Sequence, residues 1–177
     1  MLILSVFGTI RNRGTIRRYL DQPISQENLI KIIESARFSQ SAANRQPWQF
    51  IIVTDVSMKK NLSRASRNQE SVSTAAAVIV CLANPTEAAK VGPFEGFLID
   101  GSIAIENMVL TSWELGIGSC WIGAYDEKTV KELMGIPENL RVISLLTLGY
   151  PNEKPKAKNR KILTDILHYE RYGQKEP

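Results

Sequence analysis

Arg11, Arg13, Arg17 and Arg18 fall within eight residues of one another, with Gly14 and Thr15 between them. Guanidinium forks match phosphate oxygens two at a time, and Thr15 adds a hydroxyl. A glycine lets backbone N–H groups come close to an anion. Taken alone, the run fits an anion site, a solvated charged face or a nucleic-acid patch. A second basic run, Lys154, Lys156, Lys158, Arg160 and Lys161, gains meaning if the chain folds it back onto the first. Between them lies Ser41-Ala42-Ala43-Asn44-Arg45-Gln46-Pro47-Trp48. Its Ser41, Asn44 and Gln46 carry donors and acceptors that can read the edge of a heteroaromatic ring, and a polar turn before a strand has the same composition. Gly116-Ile117-Gly118-Ser119-Cys120-Trp121 opens like a dinucleotide fingerprint, but it lacks the third glycine and follows a helix rather than a strand.

Other chemistries are limited by scarcity. The chain has one histidine, His168, and two cysteines, Cys81 and Cys120, with no metal-type spacing among them. A Ser-His-Asp triad has only His168 to use, on a polar tail. Cys120 needs the same histidine to act as a nucleophile, and a free cysteine is more often a small buried hydrophobe. An enzyme so equipped leaves the hard chemistry to a bound cofactor. The 177 residues are 44% hydrophobic and 23% charged, which excludes disordered and fibrous classes and predicts one domain over 1–177. A formal charge of +4 permits anionic ligands without demanding nucleic acid. Two cysteines make no disulfide framework, so a cytoplasmic setting is expected. Residues 1–7 are apolar but lack the charged start and small-residue cleavage site of a signal peptide. The longest apolar run, 75–83, falls short of the roughly 20 residues of a membrane helix, so no membrane partner is expected.

The elements that must position these residues are legible from periodicity. Ser25 caps a helix over 26–38, with Leu29, Ile32, Ile33 and Ala36 at helical spacing. Residues 48–54 read as a strand, and Asp55 or Ser57 caps a polar helix reaching to about 68. The apolar run 76–82 suits a buried strand. Residues 98–115 form a long helix, apolar on nearly every face, that Gly116 can end in the left-handed conformation. A short strand over 119–124, a helix capped by Asp126, a strand over 141–148 and a terminal helix over 161–169 follow. Interspersed helices and strands with irregular spacing predict an α+β fold, a mixed or antiparallel sheet packed by helices in three layers.

In this order, the four features resemble the FMN-dependent nitroreductase family, from Ile10 to about Gly173. Arg13-Gly14-Thr15-Ile16-Arg17-Arg18-Tyr19 is similar to the family's opening Arg-x-Ser-x-Arg/Lys phosphate motif. Ser41–Trp48 resembles its Ser-x-x-Asn-x-Gln-Pro-Trp loop, the most specific of the four. Asp100 to Trp113 with Leu115-Gly116-Ile117-Gly118-Ser119-Cys120-Trp121-Ile122-Gly123 looks like its central helix and flavin-facing turn. Leu148-Gly149-Tyr150-Pro151 and Lys158-Asn159-Arg160 resemble its closing Gly-Tyr-Pro and Lys-x-Arg signature.

The resemblance implies a three-layer α-β-α homodimer with a noncovalent FMN site shared between chains. Arg13, Thr15, Arg17, Lys158 and Arg160 would hold the phosphate, with Gly14 beside them. Ser41, Asn44 and Gln46 would contact the ribityl chain or the pyrimidine side of the flavin. Trp121, Ile122, Gly123 and Ala124 would line one face, with the Gly123 N–H near flavin N5. The implied activity is ping-pong transfer of two electrons from NAD(P)H to a nitroaromatic, quinone or similar small acceptor. Reductive dehalogenation, enone reduction and a non-catalytic flavin carrier or sensor are the alternatives. No acid or base is required of the protein. The chain departs from the pattern at Gly14, usually basic or polar, at Thr15, usually Ser, and at Gln40, often Pro. It is also short for the family, which leaves 87–97 as the segment able to serve as a lid.

Overall fold

The computed structural model describes residues 5–156 and 159–176. The chain runs α1 (Val6–Asn12), α2 (Gln26–Arg37), β1 (Trp48–Val53), α3 (Val56–Ala65), α4 (Glu70–Ser73), β2 (Ala77–Ala83), α5 (Gly96–Glu114), β3 (Gly118–Ile122), α6 (Glu127–Met134), β4 (Arg141–Gly149) and α7 (Leu163–Ile166). The strands form one sheet in the order β1-β2-β4-β3, with every neighbour antiparallel. The only parallel pairing among the described residues is an isolated bridge, Thr15 to Ser119.

β2 is buried along its whole length because both sheet faces are covered. Its side chains alternate between two cores, as a period of two demands. Val78, Val80 and Leu82 join Leu62 of α3 and Val130 of α6, while Ala77, Ile79 and Cys81 join Ile32 of α2 and Met108 of α5. The result is the expected three-layer α+β arrangement. β4 carries one extra residue opposite β2: Cys81 faces Ser144 and Leu82 faces Val142. That bulge puts Val142 and Leu145, three residues apart, on the same side.

The caps are those the sequence predicts. Ser25, Asp55 and Asp126 each accept from a backbone N–H three residues on, and Gly116 is left-handed after α5. Two short helices lie outside the sequence expectation. α1 is capped by Ser5, and α4 is a single turn. The terminal helix is also shorter than expected, four residues rather than 161–169. Short segments offer too few turns for a helical period to show.

α5 is the organising element. Its low end holds the 41–46 loop, because Asp100 Oδ1 accepts from Ala42 N at 3.0 Å. Farther on, Glu106 reaches Arg13 and Glu114 Oε1 accepts from Thr9 Oγ1 at 3.0 Å. With a rise of about 1.5 Å per residue, those anchors lie about 9 and 21 Å along the axis. α5 therefore spans the sheet from the β1 edge to the β3 edge.

Candidate functional site

The arginine segment is seated on the β3 edge. Ile16 N donates to Ser119 O at 2.9 Å, Leu20 N to Tyr150 O at 2.9 Å, and Asn152 N to Arg18 O at 2.9 Å. Two glycines allow this close seating. A Cβ on Gly118 would lie 2.6 Å from Ile16, and one on Gly149 would lie 2.6 Å from the Tyr19 ring. The glycines of these two motifs thus serve backbone packing. Tyr19 locks the segment: its hydroxyl donates to Ile16 O at 2.7 Å and lies 2.7 Å from Thr147 Oγ1. Burial pushes that phenol well above its ordinary pKa.

The second basic run does fold back onto the first. Arg11, Arg13, Gly14, Pro155, Lys156 and Arg160 line one cleft of ≈ 270 Å³. Beside it, Thr15, Arg17, Arg18, Glu153 and Lys156 line a second of ≈ 350 Å³. The missing side chain at Gly14 makes room for this closure, since a Cβ there would stand 2.2 Å from Pro155 Cβ. Arg13 Nε is 3.3 Å from Glu106 Oε1 but badly aligned, so the buried nitrogen has no hydrogen-bond partner. Several cations converging here, one with an unused buried donor, suit a dianionic phosphate. Lys158 lies outside the described residues.

Glu153 is a residue that sequence reasoning missed, and no motif signals it. Its Oε1 accepts from Arg17 N at 2.6 Å and Arg18 N at 3.2 Å, and the Arg17 bond chiefly holds its pKa below the usual carboxylate range. The carboxylate fixes the backbone from which Arg17 projects.

The 41–46 loop is preformed and strained. Ala43, Asn44 and Gln46 have φ of 52°, 54° and 51°. For residues with a Cβ, such backbone costs on the order of 1–3 kcal/mol each and persists where the surroundings impose it. Here Ser41 Oγ accepts from Gln46 N at 3.0 Å, and Gln46 Nε2 donates to Asn44 O at 3.1 Å. Asp100 grips Ala42 below, and its Oδ2 is buried without a partner. Asn44 and Gln46 remain exposed.

At the end of β3, Trp121 is 39% exposed, whereas Ile122 turns its side chain into the core. Nothing within 4 Å would meet a Cβ on Gly123, which faces open space. Ala124 O accepts from Gln69 Nε2 at 3.2 Å, which draws the 67–69 turn to this place. Arg67 and Asn68 in that turn have φ of 57° and 55°, and sequence periodicity gave no sign of them.

One chain does not bring all these parts together. Ile122 aligns through Leu145 and Val80 with Ile51. The start of β1 is therefore about 14 Å across three strand spacings from β3, and about 10 Å along the strands. Arg13, Thr15, Arg17, Arg160 and the β3 end share one edge; Ser41, Asn44 and Gln46 sit at the other. Elsewhere, Cys120 is buried while His168 Nδ1 accepts from Gly173 N within the tail. Burial pushes the Cys81 thiol up to about 12. Among the described residues no cluster suits a metal ion, and no helix is long and apolar enough to cross a membrane.

A three-layer α+β fold with a basic cleft at one sheet edge defines the class of this domain, and comparison narrows it. The profile of the Nitroreductase family matches residues 10–91 and 68–150. An Archaeoglobus fulgidus protein, provisionally named NADH dehydrogenase/NAD(P)H nitroreductase, is 42% identical over 149 residues, 82% of this chain and 84% of its own. A nitroreductase family protein from Clostridium novyi NT superposes with a TM-score of 0.81 at 34% identity, covering 96% of both chains. The NADPH:FMN oxidoreductase of Vibrio harveyi, solved with NAD⁺, gives a TM-score of 0.86 at 26% identity over 96% of this chain and 78% of its own. The chain belongs to the nitroreductase family.

Proposed function

We propose that this protein, acting as one domain, binds FMN noncovalently and passes two electrons from NAD(P)H to a nitroaromatic, quinone or similar small acceptor. As a nitroreductase family member it is an NAD(P)H-dependent flavin oxidoreductase. The observation that carries the cofactor reading is the convergence of Arg13, Lys156 and Arg160 on one cleft at Gly14. Bound FMN supplies the redox chemistry. Arg13, Thr15, Arg17 and Arg160, with Lys158, hold its phosphate, and Gly14 lets the two basic runs close on it. Trp121, the backbone of Ile122, Gly123 and Ala124 line one side of the ring, where Gly123 leaves space and presents an N–H. Ser41, Asn44 and Gln46 complete the site from a second copy of the chain.

Several features support that homodimer. The accessible surface is 11197 Å², against about 8,600 Å² for a compact monomer of this mass. The excess carries unpartnered apolar side chains: Val6, Phe7 and Ile10 on α1, and Ile162, Leu163 and Ile166 in the tail. α5 itself is mostly covered within the monomer by α2 and the sheet, leaving Leu98 and Ile103 for a partner.

In this reading donor and acceptor share a single opening, the space left over Gly123, and occupy it in turn. The test begins with the absorption spectrum and chromatography of the released flavin, with noncovalent FMN expected. Initial rates should then give parallel double-reciprocal lines. Protein that neither purifies with FMN nor takes it up overturns the reading. Intersecting lines refute the single opening. An FMN protein that neither nicotinamide reduces is a carrier or sensor instead.

A further inference from the structure

We propose that the cleft between the end of α3 and the start of α6 receives the phosphorylated end of the nicotinamide donor, through Arg64 and Arg67. The inference rests on the functional reading above and assigns residues that no motif marks. The cleft encloses ≈ 600 Å³, with Arg64, Arg67, Tyr125 and Asp126 among its walls. Two hydrogen bonds fix it against the β3 end. Asp126 N donates to Ala65 O at 2.8 Å, and Gln69 Nε2 donates to Ala124 O at 3.2 Å. The cavity thus begins at the residue after Ala124.

A donor whose nicotinamide lies over Gly123 and Ala124 must lead its diphosphate away across a neighbouring surface. This surface carries two exposed guanidiniums. Arg64 donates a hydrogen bond to Asn61 Oδ1, at 3.3 Å, and neither arginine has a carboxylate partner among the described residues. The acid in the cleft, Asp126, is occupied in capping α6, where it accepts from both the N and Oγ1 of Thr129. Arg67 and Asn68 are held left-handed by the turn that Gln69 closes, with Gln69 N donating to Ser66 O at 3.2 Å. A backbone kept in an unfavourable conformation to aim a cation at a cleft points to a ligand. That ligand is the donor rather than the acceptor. Every nicotinamide dinucleotide carries a diphosphate, and guanidinium forks match it, whereas nitroaromatics and quinones need carry no charge.

The test uses FMN-loaded protein, wild type against the Arg64→Ala/Arg67→Ala double variant. Flavin reduction is followed by stopped flow with NADH, NADPH and N-benzyl-1,4-dihydronicotinamide, which lacks phosphate. The double variant should raise the apparent Kd for NADH and NADPH about tenfold and leave the benzyl donor unchanged. Calorimetry with NADP⁺ on the oxidised protein should show the same weakening. A larger effect with NADPH than NADH assigns the pair to the 2′-phosphate; equal effects assign it to the diphosphate. Unchanged Kd values for both dinucleotides overturn the proposal while leaving the functional reading intact. Equal loss with the benzyl donor also overturns it, because the pair then shapes the flavin site. A protein that binds no FMN overturns the functional reading and this proposal with it.

Discussion

Gly14→Ala adds one methyl group at the seam between the two basic runs. Its Cβ would stand 2.2 Å from Pro155 Cβ, against about 3.5–4.0 Å for ordinary contact. The proline ring cannot swing aside as a flexible chain would, so Pro155 and the neighbouring Lys156 retreat by about 1.5 Å. A phosphate contact of ordinary length then stretches beyond hydrogen-bonding range. Losing one charge-assisted contact, discounted because Lys156 and Arg160 are exposed, costs about 1–2 kcal/mol, or about 5- to 30-fold in Kd. Stability changes less. Alanine gains about 0.4–1 kcal/mol by restricting the unfolded chain, which offsets part of the contact strain. The melting temperature of flavin-free protein should move by no more than about 4 °C. FMN titration monitored by quenching of flavin fluorescence measures the affinity. A folded Gly14→Ala protein with wild-type FMN affinity would refute the view that Gly14 exists to close the two runs.

Arg13→Ala and Arg160→Ala should each weaken FMN binding by about 1–3 kcal/mol in calorimetry, whereas Arg37→Ala, whose partner is Glu34 on α2, should not. Glu153→Gln tests the carboxylate under the arginine segment. Its pKa is held low by the Arg17 and Arg18 N–H groups, so its contribution is complete above the ordinary glutamate pKa and is lost as pH falls. Melting temperatures of wild type and variant should differ at neutral pH and converge below about pH 4. Ile79→Ala, in the fully buried strand, should cost about 2–5 kcal/mol in denaturant unfolding. Light scattering should find a dimer, and apparent FMN affinity should fall on dilution through its dissociation; a monomer with full affinity contradicts the shared site.

The long periodic elements were legible because burial imposes their patterns: β2 packs both faces and reads as a continuous apolar run, while Ser25, Asp55 and Asp126 mark helix starts chemically. α1 and α4 were not, since one or two turns carry no readable period. For the same reason the terminal helix was legible but not its ends, four residues forming where 161–169 was expected. The two arginine- and lysine-rich runs were visible as composition, but their meeting was not. It depends on a contact between Gly14 and Pro155, residues on distant parts of the chain. Spacing alone did not tell that Ile122 has only its backbone to offer the proposed site, because strand alternation sends its side chain into the core. Glu153, Arg67 and Asn68 left no trace in spacing. Their arrangement follows from a tertiary hydrogen bond in one case and from left-handed backbone in the others.

The separation of the parts on opposite edges of one sheet has a genetic consequence. In a dimer built as proposed, each cofactor draws its phosphate grip from one chain and its Asn44 loop from the other. Co-expressing an Arg13-defective chain with an Asn44-defective chain then yields mixed dimers. In these, one site inherits both defects and the other inherits neither. Two inactive alleles should therefore restore activity together, up to about half per mixed dimer, while two alleles damaged on the same edge should not. Mutations in this small chain would sort into two complementation groups, mapped to the β1 side and the β3 side of the sheet.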